Sequence, residues 1–470
     1  MRLIVAANSA PRWQEGTGLL PRSPGGLVPM LAELLREGGD WVCMAPSGSP
    51  PAAAVTLTEL PGGIRLHELS MPALVTEQHY SAVGTRVLLW LFHYLLDAAY
   101  EPTFDSAFDA AWAGYEAVNQ AYADRLASVV SQAPDELVLV NDHHLFLVPE
   151  MLERAGRRPG TLAYFHGLPW CEPDYFGLLP AAVGGRILAS MLRCDVIGFH
   201  CTRWARAFAA CCERYLPGCH AGDDGMQLGG RRSRLAVAPF PLDVATLDRM
   251  GGDSATARWQ EDLGRLAGGR RVVARADRID LWKNLPRGFA AYQQLLEGHP
   301  GLADQWWFLA VVTAPTRVTE RGSQLRRRCE DMVTGLNQRF GRPGRPAVSL
   351  VYPDLDTSRN CVVAGLSAAA VTLVNPTFDG MNLVAKEALY LAGGAPLLLS
   401  QNAGAFEQLA GYVTPLQPFS VGDTASALGA AMDDGVRPAS QSVRELLSGQ
   451  DTAGWLAALT GPTGAAGRAD

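Results

Sequence analysis

The sequence contains no long hydrophobic run. Near the start the longest apolar stretch is Leu3 to Ala7, too short for the core of a signal peptide or for a membrane span. Val87 to Tyr100 is rich in apolar residues but contains His93 and Asp97, and reads as a buried helix. Positive charge is not in excess. The 40 Lys and Arg against 47 Asp and Glu leave a net charge of −7, so no global pull toward nucleic acid or an anionic bilayer is expected, and any anion site must be a local cluster. Tight metal-ligand pairs are missing too. Five of the nine cysteines crowd Cys194 to Cys219, with His200 and His220 nearby, but no Cys-x-x-Cys occurs, and the adjacent Cys211 and Cys212 point to different helix faces. Reduced, buried thiols and no structural metal are expected. There is no internal repeat. What remains is a chain of 470 residues with 48% hydrophobic content, long enough for two cores. It reads as a cytoplasmic protein without nucleic-acid or membrane partners, with a homo-oligomer left open.

The most informative stretch is Asn375 to Glu387. A short apolar strand, Ala370 to Val374, precedes it, and an amphipathic helix continues through Leu391. A turn between strand and helix exposes backbone N–H groups at the positive end of the helix dipole, which suits a diphosphate or sugar hydroxyls. Gly380 lets a ligand approach the backbone. Asp379 and Glu387 are acceptors for sugar or ribose hydroxyls. Taken alone, the stretch reads equally well as an ordinary strand-to-helix turn with a solvated acid.

Other candidates stand at predicted strand ends, where ligands bind in doubly wound sheets. Glu136 to Asn141 runs into Asp142, and Thr161 to Phe165 into His166. Arg2 to Ala7 is a buried first strand, followed by a loop with Pro11, Gly16, Gly18, Pro21 and Pro24. That loop ends in Gly25-Gly26 before a helix, without the spaced third glycine of a dinucleotide fingerprint. Long helices are expected at Ala82 to Ala99 and Ser106 to Val130. The segment after Phe240-Pro241, to about Gly269, reads as a helical linker. A second half restarts with Val272 to Ala274, followed by Arg278 and Lys283. Taken alone, these two are surface charges beside a turn, and His166 and Trp90 are core residues. Both halves share a rhythm of short β-branched strands and amphipathic helices.

Asp379 to Glu387, Asp-Gly-Met-Asn-Leu-Val-Ala-Lys-Glu, resembles without a gap the donor-site signature of the trehalose-6-phosphate synthase family, glycosyltransferase family 20. Asp277 to Asn284 is similar to the family's Glu-Arg-Leu-Asp-Tyr-Ser-Lys-Gly, aligning Arg278 and Lys283. Leu89 to Tyr94 is similar to Leu-Trp-Pro-x-Phe-His-Tyr, Asp142 to Leu145 to the end of His-Asp-Tyr-His-Leu, and His166 to Trp170 to His-Ile-Pro-Trp. The resemblance spans about Leu3 to Leu459. It implies an α/β chain of two Rossmann-like doubly wound domains facing across a cleft, the GT-B glycosyltransferase fold. The expected divisions are an acceptor-side domain at 1–240, a nucleotide-sugar domain at 241–440, and a tail at 441–470 crossing back.

The implied activity is retaining transfer of a sugar from a UDP- or GDP-linked donor, with no cofactor and no metal. Arg278, Lys283 and the Gly26 amide would hold the diphosphate. Two cations neutralise the charge that develops on such a leaving group without a metal. Glu387 would hold the ribose, and Asp379, Gly380, Met381, Asn382 and Leu383 would meet the donor. Tyr80, Trp90, Asp142 and His166 would face the acceptor, and Arg317 its phosphate. Four positions depart from the pattern. Ser9 replaces an Arg that pairs with the second-domain Arg on the acceptor phosphate, a loss of roughly 1.5–3 kcal/mol unless Arg12 or Arg22 substitutes. Asn141 and His143 replace a His and a Tyr, altering the acceptor rim, and Gln401 begins a turn that carries an acid in the family. A diverged acceptor on a kept donor site is expected, with weak or no use of glucose 6-phosphate. Two alternatives stay open: a pseudoglycosyltransferase joining a nucleotide-activated cyclitol to an aminocyclitol phosphate, and a non-catalytic regulatory homologue.

Overall fold

The computed structural model describes residues 1–14, 18–21, 26–46, 55–313, 319–434 and 441–461. It divides into two units. The first comprises Met1–Phe240 together with the helix Thr452–Thr460; the second is Pro241–Asp451. Among the described residues no helix is long and apolar enough to cross a membrane. None of their His, Cys, Asp and Glu side chains form a group placed to hold a metal ion. All nine cysteines are buried thiols outside any disulfide.

The first unit contains β1 (Arg2–Ala6), a hairpin of β2 (Pro11–Gln14) and β3 (Gly18–Pro21), then β4 (Gly39–Met44), β5 (Val55–Leu60), β6 (Ile64–Leu69), β7 (Glu136–Asn141), β8 (Thr161–His166), β9 (Val196–Phe199), β10 (His220–Ala221), β11 (Gly225–Leu228) and β12 (Arg231–Val237). Ten of these form one sheet in the order β10-β11-β12-β9-β8-β7-β1-β4-β6-β5. The run from β12 to β6 is parallel throughout. Its central strands are buried from end to end, as in Leu137–Val140 and Leu162–Phe165, because parallel strands are covered on both faces. The chain winds outward from β1 through β4 and β6, then returns to the other side of β1 with β7. That reversal places a ligand crevice at the carboxyl ends of β1 and β7.

The second unit has β13 (Arg271–Arg278), β14 (Trp306–Thr313), β15 (Val348–Val351), β16 (Ala369–Val374), β17 (Leu397–Ser400) and β18 (Thr414–Leu416). Their order is β15-β14-β13-β16-β17-β18, all parallel. This is the doubly wound order 3-2-1-4-5-6, with its switch point between β13 and β16. β13 runs four residues further than its apolar start suggests, and so carries Arg278 to the crevice end.

Three expectations need correction. The segment after Pro241 is no linker: helices Val244–Gly251 and Ser254–Ala267 bury Leu247, Leu263 and Ala267 in the second unit's core. The helix expected at Ala82 to Ala99 begins earlier, as a wide π-helix at Gln78–Leu89. It ends as a short α-turn, Trp90–Phe92, and Tyr94 breaks it with φ 55. The helix Gln441–Ser448 buries Val443 and Leu447 in the second unit, whereas Trp455 of the next helix donates to the Ala238 carbonyl of the first at 2.9 Å.

Candidate active site

At the switch point of the second unit, the carboxyl ends of β13 and β16 bring two distant motifs together. Arg278 closes β13, and its Nε donates to Asp280 Oδ2 at 2.8 Å. A short 3-10 turn, Leu281–Lys283, then turns Lys283 back toward the loop after β16. Lys283 Nζ lies 2.6 Å from Asp379 Oδ2, and Asn382 Nδ2 donates to the same oxygen at 3.0 Å. Asn382 takes a left-handed conformation and caps the helix Leu383–Leu391, its side chain accepting from the Ala385 amide. The first N–H groups of that helix have no partner within it, and they carry the positive end of its dipole. The Asp379 loop is tied down by Asp379 N to Asn402 O (3.1 Å), Gly404 N to Asp379 O (3.0 Å) and Ala405 N to Met381 O (2.8 Å). The result is a pinned turn carrying two cations, an acid and oriented amides, which suits a diphosphate joined to a sugar.

Side chains not singled out in the sequence complete this unit's site. Asn284 holds φ 59, a conformation few side chains adopt and the reason a glycine suits the position. Its buried amide donates to the carbonyls of Asn375 (2.9 Å) and Pro418 (2.8 Å), joining three strand-end loops. Arg359, on the helix Ser358–Ser367, grips Glu387 through both oxygens at 2.6 and 3.0 Å. The Glu387 charge holds the Arg359 guanidinium above its usual range. Glu387 is thus oriented by a bidentate partner.

In the first unit Asp142 follows β7 with φ 64 and ψ 168. Only glycine enters that region readily, at a cost of about 1–3 kcal/mol for other residues. The conformation is held by Gly167 N donating to Asp142 Oδ1 (2.8 Å) and Tyr164 Oη donating to the Asp142 carbonyl (2.6 Å). Gly167 leaves room for the carboxyl: a Cβ there would stand 3.0 Å from Asp142 Oδ1 and 3.6 Å from His200 Nε2. Burial pushes the Asp142 carboxyl up to about 6. His166 is fully buried among Phe92, Phe146 and Trp170. Its Nε2 donates to the Pro169 carbonyl at 3.2 Å, and its buried Nδ1 has no partner. Burial pushes this imidazole down to about 3, so it is neutral at pH 7. Tyr80 stacks on His144 with ring centroids 5.2 Å apart, and Trp90 is buried. Gly26 opens the helix Leu27–Leu34. Arg317 and Arg22 lie outside the described residues, and Arg12 is exposed.

Asn141 and His143, expected to alter an acceptor rim, are both buried. Asn141 is wholly buried and donates to the Ala6 carbonyl at 3.1 Å, joining β7 to β1. His143 is buried, and its carbonyl accepts from Tyr115 Oη at 2.6 Å.

The family model for glycosyltransferase family 20 matches residues 3–458. The chain belongs to glycosyltransferase family 20. Among family 20 relatives, the trehalose-6-phosphate synthase of Mycobacterium sp. (strain JLS) is 30% identical over 86% of this chain and 84% of its own. The UDP-forming alpha,alpha-trehalose-phosphate synthase 1 of Arabidopsis thaliana is 28% identical over 92% of this chain. This chain spans 46% of that plant relative and 59% of a bifunctional trehalose-6-phosphate synthase/phosphatase of Thermoproteus tenax. The solved alpha,alpha-trehalose 6-phosphate synthase of Burkholderia multivorans superposes with a TM-score of 0.83 at 26% identity, over 98% of both chains. The family 20 fold, GT-B, is therefore the fold of this chain. The second unit brings Arg278, Lys283, Asp379 to Leu383 and Glu387 to one sheet end. The first brings Asp142 to the end of its own sheet, beside the buried His166.

Proposed function

We propose that this protein is a retaining glycosyltransferase that moves a sugar from a nucleoside-diphosphate sugar, UDP- or GDP-linked, to a sugar phosphate or related polyol. The observation that carries the reading is the cluster at the β13/β16 switch point, where Lys283 and Asn382 converge on one oxygen of Asp379 and Arg278 closes β13. The UDP-forming name of the plant relative favours a UDP donor. In the proposed reaction the bond between the anomeric carbon and the phosphate oxygen breaks, and its electron pair stays on the diphosphate. Arg278, Lys283 and the helix N-terminus stabilise that charge. The acceptor oxygen bonds to the same face of the anomeric carbon, and its proton passes to the departing phosphate oxygen. No covalent protein intermediate is needed.

Asp142 would accept from a hydroxyl of the acceptor, its strained backbone aiming the carboxylate. The orphaned Nδ1 of neutral His166 is an acceptor for a second hydroxyl. Ser9, standing where the family carries an arginine, supports a second reading in which the acceptor is not glucose 6-phosphate and the enzyme joins a nucleotide-activated cyclitol to an aminocyclitol phosphate. A screen of UDP- and GDP-sugars against glucose 6-phosphate, free glucose and aminocyclitol phosphates, followed by nucleoside diphosphate release, tests both. Efficient turnover of glucose 6-phosphate would refute the reading of Ser9. No release with any pair, and no slow donor hydrolysis, would refute the transferase reading.

A further inference from the structure

Arg275 is a buried cation for which the proposed transfer has no role. It lies on β13 three residues before Arg278, with its side chain 1% exposed. Its Nε and Nη2 both donate to Asp277 Oδ2, at 2.9 and 2.7 Å, and Nη2 also donates to the backbone carbonyl of Lys283 at 2.9 Å. Nη1 is buried without a hydrogen-bond partner. It is pressed against the helix Leu285–Gly298 at Gly288, where a Cβ would fall 2.3 Å from Nη1. The guanidinium therefore fills a space that only a glycine on the facing helix leaves open.

The carbonyl that Arg275 holds belongs to the residue whose ammonium meets Asp379. On the other side of that residue, Asn284 is fixed by the Asn375 and Pro418 carbonyls. Lys283 is thus anchored through its own backbone on one side and through its neighbour on the other. A rigid fork suits this task where an ammonium does not: one planar group reaches a carboxylate and a carbonyl in set directions. We infer that Arg275 and Gly288 form a buried positioning pair that sets Lys283 for the donor diphosphate. This inference rests on the donor-site reading given above.

The test is UDP binding by calorimetry, run well below the unfolding temperature of every protein used. Wild type, Arg275→Lys, Gly288→Ala and Gly298→Ala are compared, each with and without Lys283→Ala. Gly288→Ala keeps every hydrogen-bonding group and carries the test should Arg275→Lys not fold. Gly298→Ala is the control on the same helix, because open space surrounds Gly298. Arg275→Lys and Gly288→Ala are expected to weaken UDP at least tenfold, Gly298→Ala to leave it unchanged, and the tenfold loss to vanish in the Lys283→Ala background. Such non-additivity separates action through Lys283 from a general loss of stability. Wild-type affinity in both variants, or the same loss with and without Lys283, would overturn the inference. Wild type that binds neither UDP nor GDP would remove the donor reading, and this inference with it, before any variant is measured.

Discussion

Replacing Lys283 by alanine should have two separable consequences. The ammonium and the Asp379 carboxylate are 2.6 Å apart, and their side chains are 13% and 12% exposed. Removing one partner of a mostly buried pair leaves the other desolvated, which costs about 3–5 kcal/mol. Asn382 Nδ2 still donates to Asp379 Oδ2, and one such hydrogen bond to a charged group offsets about 1.5–3 kcal/mol. A stability loss of roughly 1–3 kcal/mol in the second unit is the expected remainder. Turnover should fall further, by about 10²-fold or more, the effect of deleting one preorganised group at a developing anion. The double variant Lys283→Ala with Asp379→Asn removes the stranded charge. It should recover most of the stability, read by urea unfolding, and none of the turnover, read by nucleoside diphosphate release. Recovery of activity along with stability would show that Lys283 serves only to neutralise Asp379, and the reasoning would be refuted.

Asp142 gives a pH prediction. Its folded value of about 6 lies above the ordinary 3.8, so its contribution favours folding below about pH 4 and is lost as pH rises through about 6. The ionised form is the one that accepts from an acceptor hydroxyl; the KM for acceptor should therefore rise as pH falls through 6 while the KM for donor stays level, and Asp142→Asn should flatten that dependence. Gly167→Ala places a methyl 3.0 Å from Asp142 Oδ1, and should raise the acceptor KM severalfold with the donor KM unchanged; equal effects on both would contradict this placement of Asp142. Asn284→Ala removes two buried amide donors while keeping the left-handed backbone strained. It should cost about 2–4 kcal/mol in unfolding experiments, from two unpaired carbonyls, whereas Asn284→Gly should cost less because glycine relieves the strain.

Much of this was legible in the sequence because the decisive groups lie in short contiguous runs. Asp379 to Glu387 and Asp277 to Asn284 each sit on one strand-to-helix connection, so residue order alone nearly fixes their placement. The parallel strands were equally readable, since burial on both faces leaves unbroken apolar runs such as Leu137 to Val140. β5 escaped notice because it is a partly exposed edge strand, Val-Thr-Leu-Thr-Glu-Leu, with no such run. The helical pattern after Gln78 did not distinguish a π-helix from an α-helix. The Arg359–Glu387 fork joins two helices across 28 residues and the Arg275–Gly288 contact joins a strand to a helix across 13, and no local pattern encodes such packing. The burial of Asn141 and His143 was not legible either. A polar residue at a strand end suggests a rim, but Asn141 turns inward to satisfy the Ala6 carbonyl, and His143 is buried with its own carbonyl satisfied by Tyr115 Oη.

In the proposed donor site, the second unit grips a nucleoside diphosphate through two cations at the β13/β16 switch point. Calorimetric titration of UDP and GDP into wild type and into folded Arg278→Ala tests it most directly. The account predicts measurable binding of one diphosphate by wild type, weakened at least tenfold in Arg278→Ala and progressively by added salt. Equal affinity in the two proteins, or no binding of either diphosphate by wild type, would contradict it.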